Sequence, residues 1–545
     1  MVSLIRWFRL LLLPLAVTLI WAEPERTHVT VLSTTDLHGH IHPVDYYTDQ
    51  PAENGLAKIS TLIRRARALD PELILIDAGD TIQGTPLAYH AAVIEPVSPH
   101  PMMAAMNQIG FDAMALGNHE YNFGLEVLNN ARRSARFPWI SGNICLVDTE
   151  DPVYAPYIVK TVHGVRVGIL GLTTPGVPSW ENPAHYAGLT FTDPVRAAQR
   201  WVSELRRRSR VDVVVVAMHM GLEEDVFTGI KSPGQVPNEN AAVRIAREVP
   251  GIDLIVMGHT HREIPSLTIN GVLLTQAGRW GEHLSRASLI LERDDPTTNW
   301  KLVAKTATTH PISAEVPADP AVLQLTQDVH EATEKWLTQP VGRSERELTA
   351  TDARIEDTAI IDLIHRVQLE ASGAEVSLAA SFNSDARLPR GELTVRDIAG
   401  LYVYENTLVV IELTGAELKA ALEHAALYFG PGRRGVSAAE LVDPNVPGYN
   451  FDMAEGIDYV IDLNRSPGNR IVDLKFKGRP LDPRRTFKVV TNNYRQNGGG
   501  GYDMLVGKPV TWRSNVGVRE LIIEWVMAHP ELPTEPTKNW RIRLP

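Results

Sequence analysis

The chain has 545 residues, 44% of them apolar and 22% charged, which excludes extended disorder and leaves enough material for more than one core. Its net charge of −12 argues against a polymeric nucleic-acid partner, because phosphate backbones are bound by surplus Lys and Arg. A small anionic ligand stays open, since a bound cation reverses the local field.

The first element is an address. Arg6 and Arg9 flank the apolar run Leu10 to Ile20, broken only by Pro14 and Thr18, and the small residue Ala22 follows. Basic flank, short apolar core and small residue predict a signal peptide over residues 1–22, so a periplasmic or secreted protein without a membrane span after cleavage. The run is short for a span of ~20 residues; an uncleaved anchor is the alternative. Cys145, the only cysteine, excludes an intramolecular disulfide.

From His28 onward short Val/Ile/Leu-rich runs alternate with helical patterns. Strands are predicted at Val29–Ser33, Leu73–Ile76, Ala113–Leu116, Val165–Gly171, Val211–Ala217, Leu254–Met257 and Val272–Thr275, and helices at Leu56–Leu69 and Pro194–Arg208. Near-continuous apolar strands suit a sheet buried on both faces, so residues 28–305 are expected to form a layered α/β domain. Residues 306–346, rich in charge and Ala with Pro311, Pro317 and Pro320, predict a linker or connecting helix. Residues 347–545 predict a second α/β domain. There a strand at Thr407–Leu413 leads into the capping box Thr414-Gly-Ala-Glu417 and a helix over Leu418–Phe429. Further strands are expected at Ile457–Leu463, Arg470–Phe476 and Thr486–Thr491, with an exposed loop at Pro431–Gly448.

The residues of chemical interest follow the predicted strands of the first domain. Asp36-Leu-His38, Gly79-Asp80, Gly117-Asn118-His119-Glu120, His219 and Gly258-His259-Thr260-His261 each stand just past a strand. That sheet edge is where α/β folds bind ligands, so the segments should converge. Singly each motif is weak; together, in this order, they are specific. Carboxylates, neutral imidazoles and an amide oxygen suit Mn, Fe, Zn or Co better than Ca or Mg. Two such ions about 3.5–4 Å apart can activate water and hold the non-leaving oxygens of a phosphate ester.

This set resembles a calcineurin-like metallophosphatase domain joined to a 5′-nucleotidase-type C-terminal domain. The resemblance implies a four-layer α/β/β/α first domain and an α/β substrate-binding second domain. It implies that Asp36, His38 and His261 bind one of two divalent metal ions, that Asp80 bridges, and that Asn118, His219 and His259 bind the other. It further implies that His119 stabilises the phosphoryl transition state. In 5′-nucleotidases of this family an Asp follows the aromatic residue after GNHE and orients the catalytic His, whereas this chain has Tyr121-Asn122. An Asn can orient the imidazole without stabilising its cation as a carboxylate would. The Asn form is similar to the branch of 2′,3′-cyclic-nucleotide 2′-phosphodiesterase/3′-nucleotidases. Gly79-Asp80-Thr-Ile-Gln-Gly84-Thr-Pro-Leu87 and Glu239-Asn240-Ala241 point the same way.

In the second domain Tyr449-Asn-Phe-Asp452, Thr491-Asn-Asn-Tyr494 and Gly498-Gly-Gly-Gly-Tyr502 also resemble that branch. The resemblance implies that two aromatics sandwich a nucleobase: Tyr502 and either Tyr449 or Phe451. Asn383 and Arg387 stand where relatives place a substrate-binding Asn…Arg pair, although the stretch is one residue short and lacks its glycines. Tyr402-Val-Tyr404-Glu-Asn406 is family-like too, with no contact assigned. The expected substrates are 2′,3′-cyclic nucleotides and 3′-nucleotides; the alternatives are a 5′-nucleotidase or UDP-sugar hydrolase, and a non-catalytic nucleotide-binding protein. Oligomeric state is left open.

Overall fold

A computed structural model describes residues 24–231, 238–404 and 406–545; the expected signal peptide lies outside the described residues. The first domain contributes twelve strands to its two large sheets. They are β1 (Glu25–Thr34), β2 (Ile74–Asp77), β3 (Ala113–Ala115), β4 (Trp139–Ile140), β5 (Tyr157–Val162), β6 (Val165–Thr173), β7 (Val213–His219), β8 (Leu254–Met257), β9 (Glu263–Ile269), β10 (Val272–Ala277), β11 (His283–Arg293) and β12 (Lys301–Pro311). One sheet runs β12-β11-β1-β2-β3-β4 and the other β9-β10-β8-β7-β6-β5. Strands β1 to β4 are parallel to one another, as are β6, β7, β8 and β10. The antiparallel strands β11, β12, β5 and β9 complete the sheets.

Alternation along the strands sets the layers. Val29, Val31, Ile74 and Ile76 face Val167, Ile169, Val213 and Val215 in a dry core between the sheets. Their neighbours point outward. Leu32 and Leu75 pack under helices α1 (Leu56–Leu69), α2 (Pro101–Ile109) and α3 (Gly124–Ser134). Val214, Val216 and Ile255 pack under α4 (Pro194–Arg207) and α5 (Ala242–Glu248). The result is the expected α/β/β/α stack.

Strand β12 belongs to the first sheet and runs to Pro311, six residues past the expected boundary at 305, because it pairs with β11 from Lys301 onward. Helices α6 (Pro320–Leu325) and α7 (Gln327–Leu337) then form the middle of the expected linker. They are docked rather than loose: Asp319 caps α6 and accepts from Ser60 Oγ, and His42 bonds Thr326 Oγ1.

The second domain holds β13 (Val376–Ala380), β14 (Thr407–Thr414), β15 (Asp452–Glu455), β16 (Asp458–Asp462), β17 (Ile471–Phe476), β18 (Thr486–Asn492), β19 (Val510–Gly517) and β20 (Trp540–Arg543). Its main sheet is ordered β15-β13-β18-β14-β19, and β17-β16-β20 lie in a smaller one. Thr414 and Glu417 form the capping box that opens the helix Gly415–Ala425. The domains touch through Asn493 Nδ2 to the Trp180 carbonyl, Arg396 to Asp49 at 3.2 Å, and Arg519 to the Tyr47 hydroxyl at 3.0 Å. Among the described residues no helix is long and apolar enough to cross a membrane.

Candidate dinuclear metal site

The loops after β1, β2, β3, β7 and β8 meet at one edge, because parallel strands deliver all their C-terminal ends to the same side. Two triads of ligand-type side chains result, Asp36–His38–His261 and Asp80–His219–His259, each with its candidate ligand atoms within 4.8 Å of one another. The triads adjoin: Asp36 Oδ1 lies 4.0 Å from His219 Nε2, and His38 Nε2 lies 3.9 Å from Asp80 Oδ2. Asp80 Oδ2 is 2.8 Å from His219 Nε2, a position from which it can face both triads.

The backbone here is held in an unusual state. Asp36, His38, Asp80, His259 and His261 all have positive φ, between 47° and 73°. Left-handed backbone costs a non-glycine residue about 1–2 kcal/mol, so five instances among seven candidate ligands mark a site that its surroundings over-determine. The surroundings are visible. Asp36 N–H donates to the Gly79 carbonyl, His38 N–H to the Asp80 carbonyl, and Trp280 N–H to the Asp36 carbonyl. Gly117 permits the closest approach, since a Cβ there would stand 2.1 Å from Asp80 Oδ1.

Glu120 carries none of the expected chemistry. Fully buried, it accepts from the N–H groups of Gly117, Asp80, Thr81 and Ile82, and so ties the loops after β2 and β3 together. Asp77 accepts from the hydroxyls of Thr34 and Thr81 and from Gly79 N–H, tying the end of β1 to the loop after β2, and burial pushes its carboxyl up to about 7.

The donor set fits divalent transition ions. Burial lowers His38 well below the usual imidazole range, with His261 adding to the effect, and burial brings His261 down to about 3; both rings are neutral with lone pairs to offer. Burial pushes Asp36 up to about 8, opposed by His219 and reinforced by Asp80. Burial acts upward on Asp80 too, yet His219, His119 and His38 outweigh it and hold that carboxylate well below its usual range. His219 is the counterpart: burial lowers it, but Asp80 and Asp36 lift it to about 10. Asn118 Oδ1 is buried with no hydrogen-bond partner among the described residues, a cost of about 1–3 kcal/mol that a cation at the site would remove.

Outer groups orient these rings, as metal-binding imidazoles require. His38 Nδ1 is 3.0 Å from the Gln83 carbonyl and His219 Nδ1 is 2.8 Å from the Ala78 carbonyl, which leaves Nε2 of each for a ligand. Glu239 Oε1 lies 3.0 Å from His259 Nε2, leaving Nδ1 for the site.

His119 stands beside the triads, with Nε2 4.0 Å from Asp80 Oδ2 and its backbone N–H donating to Asp80 Oδ1 at 2.8 Å. Its Nδ1 is 2.6 Å from Asn122 Oδ1. The Asn122 amide donates onward to Glu181 Oε2 at 2.7 Å, and Glu181 Oε1 is 2.8 Å from His185 Nδ1. A carboxylate therefore reaches the His119 line after all, one amide removed. Glu181 carried no signal in the sequence because it lies remote in the chain from the group it orients, while Glu239 stood in a family-like segment with no role assigned.

The second domain corrects two expectations. Phe451 and Tyr502 have no exposed surface, so neither can stack on a base. Phe451 packs between Tyr428, Phe429 and Trp540. The Tyr502 hydroxyl donates to the Asn450 carbonyl and accepts from Asp452 N–H, while Arg495 and His424 cover its ring. Exposed rings stand nearby instead: Tyr404 at 47%, Tyr449 at 40% and Tyr494 at 38%. Tyr449 neighbours both Tyr404 and Tyr494; Arg279 and Arg354 lie near Tyr404, and Glu239 near Tyr494. Asn383 is spent locally on the Gly400 carbonyl and Asp385 N–H, and Arg387 is exposed on a short strand paired with Leu348–Thr349. Of the two cations near Tyr404, Arg354 is anchored on the Ser381 carbonyl at 2.7 Å. No motif marks Arg354.

Known proteins share these features. Residues 29–263 match the family model of calcineurin-like phosphoesterases, and residues 338–507 that of the 5′-nucleotidase C-terminal domain. A 2′,3′-cyclic-nucleotide 2′-phosphodiesterase/3′-nucleotidase of Yersinia enterocolitica is 29% identical over 97% of this chain and 90% of its own length. The trifunctional nucleotide phosphoesterase YfkN of Bacillus subtilis is 29% identical over 96% of the chain, which spans only 39% of that relative. Among solved structures, a 5′-nucleotidase-type protein of Staphylococcus aureus in complex with alpha-ketoglutarate superposes with a TM-score of 0.81 at 27% identity, covering 95% of this chain and 100% of that one.

Proposed function

Because the chain belongs to the calcineurin-like phosphoesterases that carry a 5′-nucleotidase C-terminal domain, we propose that it opens 2′,3′-cyclic nucleotides and removes phosphate from 3′-nucleotides. The enzyme is a metal-dependent phosphoric ester hydrolase of nucleotides. The observation that carries the finer reading is His119 paired with Asn122, next to two facing ligand triads.

Asp36, His38 and His261 would hold one divalent ion and Asn118, His219 and His259 the other, with Asp80 between them. When bound, the ions supply Lewis acidity toward the phosphoryl oxygens and an activated water. Mn, Zn, Fe and Co all suit this donor set. His119 presents Nε2 toward the site, fixed by Asn122 at Nδ1, where it can donate a hydrogen bond to charge developing on phosphorus-bound oxygen. Tyr404 and Tyr494 are the rings we assign to the base, with Tyr449 beside them and Arg354 toward the anionic part of the ligand. Export follows from the pattern of residues 6–22 alone.

Product analysis on manganese-loaded protein tests this reading, using 2′,3′-cyclic AMP, 3′-AMP, 5′-AMP and UDP-glucose separately with His119→Ala as control. Turnover of the first two with little 5′-AMP hydrolysis is expected. Preference for 5′-AMP or UDP-glucose would place the enzyme with the 5′-nucleotidases and remove Asn122 as a specificity mark.

A further inference from the structure

A second concentration of ligand-type side chains lies at the opposite end of the first domain. His28 sits early in β1, eight residues before Asp36, which at ~3.3 Å per residue puts it roughly 25 Å from the catalytic edge. Asp70 follows helix α1, and His163 occupies the turn between β5 and β6. Chain segments far apart in sequence thus bring two imidazoles and a carboxylate together, with candidate ligand atoms within 4.8 Å of one another.

The contacts are specific. His163 Nε2 is 2.8 Å from Asp70 Oδ1, and His28 Nε2 is 3.3 Å from Asp70 Oδ2. The two rings stand 4.9 Å apart at 36° to each other, so both present Nε2 to the one carboxylate. The Asp70 side chain is only 8% exposed, while His28 opens to solvent and gives an ion a way in. Glu72 supports the arrangement from behind: Oε2 accepts from the His163 backbone N–H at 2.9 Å, and Oε1 lies 3.7 Å from His163 Nδ1. A carboxylate on that side of the ring, here at ion-pair rather than hydrogen-bond distance, is the usual partner of a metal-binding imidazole.

Turn chemistry gives an independent sign. His163-Gly164 is a two-residue hairpin turn with φ of 48° and 78°, a geometry that favours Asn-Gly. A histidine holds the first position despite its backbone cost, and its ring points to Asp70. The turn needs no imidazole; the cluster does.

We propose that His28, Asp70 and His163 form a mononuclear site for a zinc-type divalent ion, separate from the catalytic pair. Two imidazoles and one carboxylate, with water completing the tetrahedron, are a donor set that zinc, cobalt and nickel accept. Such an ion clasps the first sheet, through β1 and the approach to β2, to the second sheet at its β5–β6 hairpin. Its role is structural, at the end of the sandwich where no catalytic loop operates.

The test compares metal content of the full chain after zinc loading and gel filtration with that of His163→Asn and His28→Gln. Asn suits the left-handed turn position, so that variant keeps the hairpin. Each variant is expected to lose one equivalent of zinc relative to the parent, to lose part of the zinc-induced rise in melting temperature, and to retain nucleotide hydrolysis. The difference of one equivalent does not depend on how many ions the catalytic site takes. Equal zinc content in parent and both variants, with equal zinc-induced stabilisation, would overturn the proposal and leave the cluster as an ion-pair clasp.

Discussion

Glu181 touches none of the groups expected to meet substrate, yet its removal should slow the reaction. Asn122 can present either its oxygen or its NH2 toward His119, and the Glu181 carboxylate at 2.7 Å selects the orientation in which oxygen faces Nδ1. A hydrogen bond from a neutral donor to a buried charge is worth about 1.5–3 kcal/mol. At about 1.4 kcal/mol per factor of ten, Glu181→Ala should lower kcat roughly ten- to hundredfold. KM should hold, because the line from Glu181 through Asn122 ends on His119 and not on the base-binding rings. Glu181→Gln retains an acceptor oxygen and should lose only about fivefold, in line with a neutral hydrogen bond of ~1 kcal/mol. The assay is initial-rate kinetics on 3′-AMP for Glu181→Ala, Asn122→Ala and the double variant. Residues acting along one line are non-additive, so the double variant should be no slower than Asn122→Ala. Losses that multiply would refute the relay and give Glu181 a separate role.

Tyr404→Ala and Tyr494→Ala should each raise KM with little change in melting temperature, by the ~1–3 kcal/mol typical of base stacking, read from saturation curves. Phe451→Ala should instead unfold the protein more readily by about 3–5 kcal/mol, measured by denaturant titration, because it empties a closed aromatic core. Arg495→Ala leaves Asp452 as an unpaired buried charge and frees the carbonyls of Tyr449 and Gly499, so it should destabilise the second domain by roughly 3–5 kcal/mol in the same titration. Burial, with Asp357 and Glu455 nearby, pushes Asp362 up to about 7 from 3.8. A carboxyl raised on folding contributes stability that is full below the unfolded value and lost as pH rises through the folded one. Thermal stability should therefore decline between pH 4 and 7, and Asp362→Asn should flatten that slope in melting curves.

The parts of the fold legible in the sequence were those with a periodic or terminal signal. The parallel strands of the double sheet are continuous apolar runs, and Leu254–Met257 was readable to the residue because both of its faces are buried. Strands β9 and β12 were not readable: Glu263–Ile269 and Lys301–Pro311 are largely exposed edges whose polar residues resemble loop. The candidate metal ligands stood out because strand ends place them and their side chains have few other uses. The substrate-facing residues did not. Tyr502 follows a glycine run that suggests access, yet those glycines let the chain fold over it; Gly499 packs so tightly on Tyr494 that a Cβ would lie 2.5 Å from that ring. Tyr494 owes its exposure to its place just past β18, a distinction that composition does not carry.

The left-handed backbone at Asp36, His38, Asp80, His259 and His261 also bears on how such a site decays. Asparagine and glycine are the residues that tolerate that conformation at least cost. Drift without selection for turnover should therefore deposit Asn and Gly at these five positions first, keeping every loop in place while the charge and the imidazoles vanish. A homologue with an intact fold and that pattern of replacements would be a former enzyme, recognisable from its sequence alone.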